Sequence, residues 1–358
     1  MKNGRSLVDL AHELERQVAV RQDLIVPSSL LRCRTNELGN LQLHVGAGGH
    51  AGHGVEGYGV NGLARRQLAE KLKIPFTYFE RMRRTQPTLL DRNLNTWLQV
   101  EEERRMLRIL DGEVRAVLSD RYRRLDNFEL AQSVLPLLSR LEGACFESVE
   151  LTETKLYLKV ITPRLAYEVA PGDIVQAGIV ITNSEVGCGT LSVQPLLYRL
   201  VCRNGLIASD GALRKTHVGR ALQSGETSNI VFRDDTLMAD DRAFFLKVRD
   251  VVEAAVSEPV FRQIASKLRK TRDIPLSGDP TKTVEVLASR YTLNDTERVG
   301  VLRHLIVAGD LSGYGLVNAV THYSQDVEDY DRATELEALG GKLIDLGPGD
   351  WKALSHAA

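Results

Sequence analysis

Residues 178–220 read GIVITNSEVGCGTLSVQPLLYRLVCRNGLIASDGALRKTHVGR. Two apolar runs, Ile179 to Ile181 and Leu196 to Val201, each close in a polar turn that carries glycine. The turns are Asn183-Ser184-Glu185-Val186-Gly187 and Cys202-Arg203-Asn204-Gly205. Short apolar runs bounded in this way predict strands. A basic segment follows, Arg214-Lys215-Thr216-His217-Val218-Gly219-Arg220. The stretch reads as the central strands of a sheet that delivers loops and cations to one edge.

Working outward, residues 147–160 alternate through Val149, Leu151, Leu156, Leu158 and Val160, a second hairpin turning at Thr152-Glu153-Thr154. A loop with Pro163, Pro171 and Gly172 is expected before the strand at 174–181. Asp111-Gly112, set between alternating runs at 106–110 and 113–118, is the strongest hairpin signal in the chain. Asp126-Asn127 is expected to cap a helix over 128–141. Nearer the N-terminus, leucines at helical spacing predict a helix over 6–22, then short strands at 24–26, 30–31 and 41–43. Residues 62–84 predict two helices broken at Lys73-Ile74-Pro75, the second ending in Arg81, Arg83 and Arg84. This pair resembles a helix-turn-helix reader, and a structural helix pair with a solvated charged face is weighed above it. A third helix is expected over 88–100. Beyond residue 236 the pattern is helical, closing in a helix over 330–339, Gly340-Gly341 and a short strand over 342–346. The expected fold is α+β: a central antiparallel sheet with β-hairpins backed by helices, plus a helical C-terminal part. The expected division is 1–100, 101–232 and 233–358.

The chain has 358 residues, 46 lysines and arginines against 47 acidic residues, and a net charge of −1. That balance disfavours a strongly basic nucleic-acid-coating protein but leaves room for a local basic face. No apolar run approaches the roughly 20 residues of a membrane span, and residues 1–9 lack an apolar signal core, so a cytoplasmic protein is expected. Cys33, Cys145, Cys188 and Cys202 form no C-x-x-C pair and read as reduced thiols. The glycine-rich tract 45–54 lacks a phosphate-loop lysine. His44, His50 and His53 beside it lack the further ligands of a metal site. A solvated loop is expected there, with no metal and no cofactor.

Several segments together resemble the phage- and plasmid-associated family called domain of unknown function 932. They are Arg115-Ala116-Val117-Leu118-Ser119-Asp120-Arg121-Tyr122, Leu125-Asp126-Asn127, Ile181-Thr182-Asn183-Ser184-Glu185-Val186-Gly187 and Arg199-Leu200-Val201-Cys202-Arg203-Asn204-Gly205. Asn93-Leu94-Asn95-Thr96-Trp97-Leu98 and Asn318-Ala319-Val320-Thr321 fit as well. The resemblance spans about residues 62–346. Arg203 departs from it, adding a cation where relatives often carry a small polar residue. The family name supplies no activity; its mobile-element context implies DNA maintenance, recombination or defence.

Three functional classes follow. The first is a nucleic-acid-binding protein, similar to phage single-strand annealing proteins, with single-stranded DNA as the favoured ligand. In that reading Arg115, Arg121, Arg123, Arg124, Arg199, Arg203, Lys215, His217 and Arg220 line a groove. Tyr122 and Tyr198 offer stacking faces. Self-association into a homo-oligomer, a ring among the forms, is then expected. The second class is an enzyme in which Cys202 and His217 pair as thiol and imidazole while Glu185 and Asp210 act as acid and base. A buried thiol is the commoner occupant of a site such as Cys202. The third is a structural or partner-binding protein of a mobile element.

Overall fold

A computed structural model describes residues 1–46, 56–100, 103–122, 124–209, 213–215 and 234–356. Helix α1 (Leu7–Val20) starts at Ser6, whose hydroxyl accepts the Asp9 amide, and turns Leu10 and Leu14 inward. Strands β1 (Gln22–Pro27), β2 (Leu31–Thr35), β3 (Leu41–Val45) and β4 (Glu56–Val60) follow. Three helices come next, α2 (Gly62–Lys71), α3 (Phe76–Thr85) and α4 (Pro87–Val100), then the hairpin β5 (Arg104–Leu110) and β6 (Glu113–Ser119). Asp111 and Gly112 both take positive φ, +51° and +76°, as a tight two-residue turn requires.

These strands form one sheet in the order β1-β5-β6-β4-β3-β2. The hairpin over 104–119 therefore belongs to this first sheet, not to the central sheet core expected over 101–232. Its pairing is antiparallel except where β4 meets β6 in parallel, a contact that needs a long connection, here α2 to α4. Strand β2 lies at the edge, where unpaired backbone groups invite foreign strands. Helix α4 covers that edge with two side chains one turn apart. Asn95 accepts the Cys33 amide at 2.7 Å and donates to its carbonyl at 2.9 Å, while Asp91 accepts the Thr35 amide at 2.9 Å. Leu31, Leu43, Phe79, Leu90 and Leu94 fill the core beneath.

The second sheet follows helix α5 (Asn127–Leu138). Its strands are β7 (Cys145–Leu151), β8 (Leu156–Ala170), β9 (Asp173–Asn183), β10 (Leu191–Arg199), β11 (Asn204–Ile207) and β12 (Leu213–Lys215). The order is β11-β10-β9-β8-β7, with β12 also paired to β10. The loop expected at Pro163 is instead the continuation of β8, which absorbs the proline at a register shift between Thr162 and Ala166. Along β9 the side chains alternate between faces. Ile179 and Ile181 meet α1, α5 and the helix α6 (Asp234–Ala255) through Leu10, Leu130, Val134, Phe244 and Val248. Val180 points to the other face with Leu196 and Ile207.

The helical C-terminal part contains α7 (Glu258–Lys270), α8 (Pro280–Tyr291), α9 (Asp295–Ala308), α10 (Gly313–Tyr323), α11 (Tyr330–Ile344) and α12 (Pro348–Ser355). The expected break at Gly340-Gly341 and the strand after it do not occur, because α11 runs through both glycines. Their role is close approach. A Cβ at Gly341 would overlap the Ile207 carbonyl oxygen, and one at Gly340 would overlap the Thr321 methyl. Lack of a side chain lets α11 lie directly on β11 and α10. The glycine-rich tract falls mostly outside the described residues.

Candidate nucleic-acid interface

Apart from residues 93–98, which lie in α4 against β2, the residues that carry the family resemblance converge at two places, one at each end of β9. Ten residue steps at ~3.3 Å separate Asp173 from Asn183, so the two ends stand about 33 Å apart.

At the Asn183 end, the turn after β9 is gripped by both sheets. Glu185 accepts from Arg115 Nη2 at 2.5 Å through Oε2, and from the Asn127 amide at 2.6 Å through Oε1. Glu185 thus caps α5, a role expected of Asp126. Asp126 does stand at the N-cap, but its carboxylate makes no capping bond. It faces Arg108 Nη2 at 2.7 Å and Arg21 Nη1 at 2.6 Å. Arg108, wholly buried, also donates to Asp23 at 3.0 Å and to the Glu185 carbonyl at 3.0 Å. Asn183 donates to the Leu125 carbonyl and to Asn127 Oδ1. The Tyr122 hydroxyl donates to the Ser184 carbonyl at 2.8 Å. Gln67 of α2 donates to the Val186 carbonyl and accepts the Val117 amide. Gly187, at φ +79°, turns the chain against Leu118, whose methyl would stand 2.7 Å from an added Cβ. Arg108 pairs with Asp126 and Asp23, Arg115 with Glu185, and Arg108 also holds the Glu185 carbonyl, so this cluster ties the sheets together.

Around the same turn lie cations that the cluster does not absorb. Arg121 is exposed and has no ion-pair partner among the described residues. Arg124 is 55% exposed and reaches Asp23 at 3.2 Å. Lys155 lies against the 184–190 loop, its Cε 3.3 Å from where a Cβ on Gly189 would stand. Burial pushes the Cys188 thiol up and Asp331 adds to the rise, while Lys155 and Arg66 pull against it. Strand β12 pairs Lys215 with Leu191 and Arg214 with Ser192, at this same end of β10.

The Asp173 end is built differently. Arg199 forks onto Asp173, with Nε 2.7 Å from Oδ1 and Nη2 2.5 Å from Oδ2, and the Tyr314 hydroxyl donates to the same carboxylate. Arg199 Nη1 donates to Cys202 Sγ at 3.4 Å, and Gln325 holds the Cys202 carbonyl at 2.8 Å. Asn204 donates to Thr321 of α10, which joins this motif to Asn318-Ala319-Val320-Thr321. Arg203 is exposed at φ +50°.

The structure therefore brings Arg115, Arg121, Tyr122, Arg124 and the backbone of Lys215 to one end of the second sheet. Tyr198, Arg199 and Arg203 stand at the other, so the eight described residues of the expected eleven divide between two ends of the sheet. Tyr198 is buried with its hydroxyl on Glu147 at 2.6 Å and offers no stacking face. Arg115 and Arg199 are each held by a carboxylate. Arg123, His217, Arg220 and Asp210 lie outside the described residues, so the Cys202–His217 pair has only its thiol in view. Glu185 is occupied as a helix cap and salt-bridge partner rather than presented as an acid or base. Among the described residues no group of three His, Cys, Asp or Glu side chains is placed to hold a metal ion. None of their helices is long and apolar enough to cross a membrane.

Sequence reasoning passed over Arg108, Lys155, Arg66 and Asp23. Arg108 left one usable trace, a lone charge inside the apolar run Met106-Leu107-Arg108-Ile109-Leu110. A charge at an inward strand position requires a buried partner.

The paired carboxylates make stability depend on pH. Burial works to raise Asp126, and Arg108 pulls it below its ordinary value near ~4. Burial likewise opposes the bonds from Arg199 and Tyr314 that lower Asp173. A carboxyl lowered in the folded state contributes stability that is present above its unfolded value and lost as pH falls through the folded one. Urea unfolding should give a steady free energy between about pH 7 and 5 and a decline below about pH 4. A profile still level near pH 2 would show that neither pair matters.

The family described as "Domain of unknown function (DUF932)" matches residues 114–338. No curated protein and no solved structure matches the chain significantly.

Proposed function

The chain belongs to the DUF932 family, and from that premise we propose that it is a mobile-element-associated nucleic-acid-binding protein that takes single-stranded DNA beside the 184–190 loop. One observation supports this reading: cations from three separate elements lie around that loop. They are Arg121 and Arg124 after β6, Lys155 between β7 and β8, and Arg66 of α2, and the backbone of β12 pairs with β10 at the same end of the sheet. Phosphates are neutralised by such a ring without base-specific contacts. Arg124, 55% exposed, can turn from Asp23 to a phosphate, because Asp23 keeps Arg108 as its partner. Tyr122, half-buried between the two arginines, supplies an aromatic edge there. Annealing activity and assembly into rings belong to the same reading.

The test is fluorescence anisotropy with a labelled oligothymidylate. If about four phosphates are neutralised, raising salt from about 50 to 200 mM should weaken binding about 50-fold. Arg121→Glu with Arg124→Glu should lower affinity and flatten that salt dependence. No binding at about 50 mM salt would end the reading. A monomer by light scattering, with DNA bound, would remove the ring and leave the binding.

A further inference from the structure

We infer that α2 and α3 form a helix-turn-helix that docks on duplex DNA, with the outward face of α3 as the groove-entering surface. This goes beyond the single-strand reading and does not depend on it. Residues 72–75 connect the helices. At the elbow Lys73 takes φ +56°, the left-handed conformation that lets a four-residue link reverse sharply. The Lys73 amide bonds back to the Glu70 carbonyl and the Ile74 amide to that of Ala69. Leu68, Ala69, Leu72, Ile74, Phe79 and Met82 are buried and lock the angle from inside.

The outward side of α3 is polar, basic and open. Thr77, Tyr78, Arg81, Arg84 and Thr85 are exposed and recur at three- and four-residue spacing, which places them on one stripe. Arg81 has no ion-pair partner among the described residues. Arg84 is 72% exposed and only 3.9 Å from Glu80 at its nearest. The Glu80 carboxylate is held by Arg65 and Arg83, which turn away from the stripe; Arg65 bonds the Val60 carbonyl and Arg83 that of Gly39. The stripe therefore faces solvent, and its one neighbouring carboxylate, Glu80, is already held by Arg65 and Arg83 and meets Arg84 only at 3.9 Å.

Charge points to the ligand. Residues 62–100 hold eight lysines and arginines against three acidic residues, a net +5 in a chain whose total is −1. Of the three acids, Glu80 is held as described and Asp91 is bonded to Thr35. Arg92 of α4 and Lys73 of the link before α3 are exposed as well. A ten-residue helix is about 15 Å long and, with side chains, about 10–12 Å wide, which suits a major groove about 12 Å across. Arginines one turn apart on such a helix can reach guanine edges or both groove walls. A single strand offers no groove to receive them.

The experiment compares a labelled random-sequence duplex with the oligothymidylate, using the full chain. Wild-type protein should bind the duplex at about 50 mM salt with a steep salt dependence. Arg81→Glu with Arg84→Glu should cut duplex affinity at least about 10-fold and reduce the salt slope by about 2, leaving oligothymidylate affinity and the melting temperature unchanged. Arg81→Gln with Arg84→Gln should move the same way by a smaller factor. The double variant at Arg121 and Arg124 should do the reverse, losing the single strand and keeping the duplex, so that either reading can fail without the other. Absence of duplex binding by wild type overturns the inference. So does duplex affinity unchanged in the Arg81 and Arg84 variants, or a loss confined to the single strand.

Discussion

Replacing Lys159 by methionine is expected to lower the unfolding free energy by about 3–5 kcal/mol, the range for stranding one member of a buried pair. Lys159 lies on β8 and Glu337 on α11, and both side chains are wholly buried. The ammonium donates to Glu337 Oε2 at 2.7 Å and to Thr334 at 2.9 Å, and stands 4.7 Å from the centre of the Tyr330 ring. Glu337 Oε1 has no hydrogen-bond partner in the structure. The carboxylate therefore depends on Lys159, and methionine would leave it charged and unpaired or force it to take up a proton. Either route is costly because both side chains are wholly buried. Removing both charges, Lys159→Met with Glu337→Met, should recover most of the loss, since two apolar chains of similar length can pack where the pair stood. Urea denaturation of the three proteins distinguishes the cases. A single variant as stable as wild type would mean that the pair does not hold α11 to the sheet.

Replacing Arg108 by methionine is expected to cost a similar amount, about 3–5 kcal/mol, but to act at a different place. Arg108 projects from the first sheet and binds Asp23, Asp126 and the Glu185 carbonyl. Its loss removes a cation from two partly buried carboxylates and leaves a buried carbonyl without a donor. Hydrogen exchange should rise in the 184–190 loop and in the first turn of α5, where Glu185 caps Asn127. Arg108→Lys should recover only part of the loss, because an ammonium lacks the planar fork that meets three partners at once. Exchange unchanged in both segments would show that the sheets are held together by apolar packing alone.

Much of this architecture is readable along the chain. Asp111-Gly112 announces its hairpin because few dipeptides tolerate two positive φ angles. The alternation of Val149 and Leu151 with Leu156 and Leu158 marks strands with two unlike faces. Lys73-Ile74-Pro75 marks a helix break. These are local properties, set by backbone sterics and the period of burial, and they need no knowledge of what packs against them. Gly340-Gly341 shows the limit. As local signals they predict a break, yet within α11 they are the surface that lets a helix touch β11, and only the neighbour reveals that purpose.

The candidate sites divide in the same way. The chain alone determined an α+β protein of balanced charge, its hairpins, the placing of most helices and the local excess of cations over residues 62–100. It did not determine which charges remain open to a ligand. Arg115 and Arg199 look as available in sequence as Arg121, but the fold sets a carboxylate from a distant element against each of the first two. Tyr198 alternates to a buried face, whereas Tyr122 is half-buried with its hydroxyl on the Ser184 carbonyl. Whether a charged side chain is spent on its own protein or offered to solvent depends on the partners that strand register and helix packing bring within about 3 Å. Those partners lie 26 and 70 residues away in the chain for Arg199 and Arg115. That proximity is a property of the tertiary structure, because electrostatic energy depends on distance in space and not on separation along the chain.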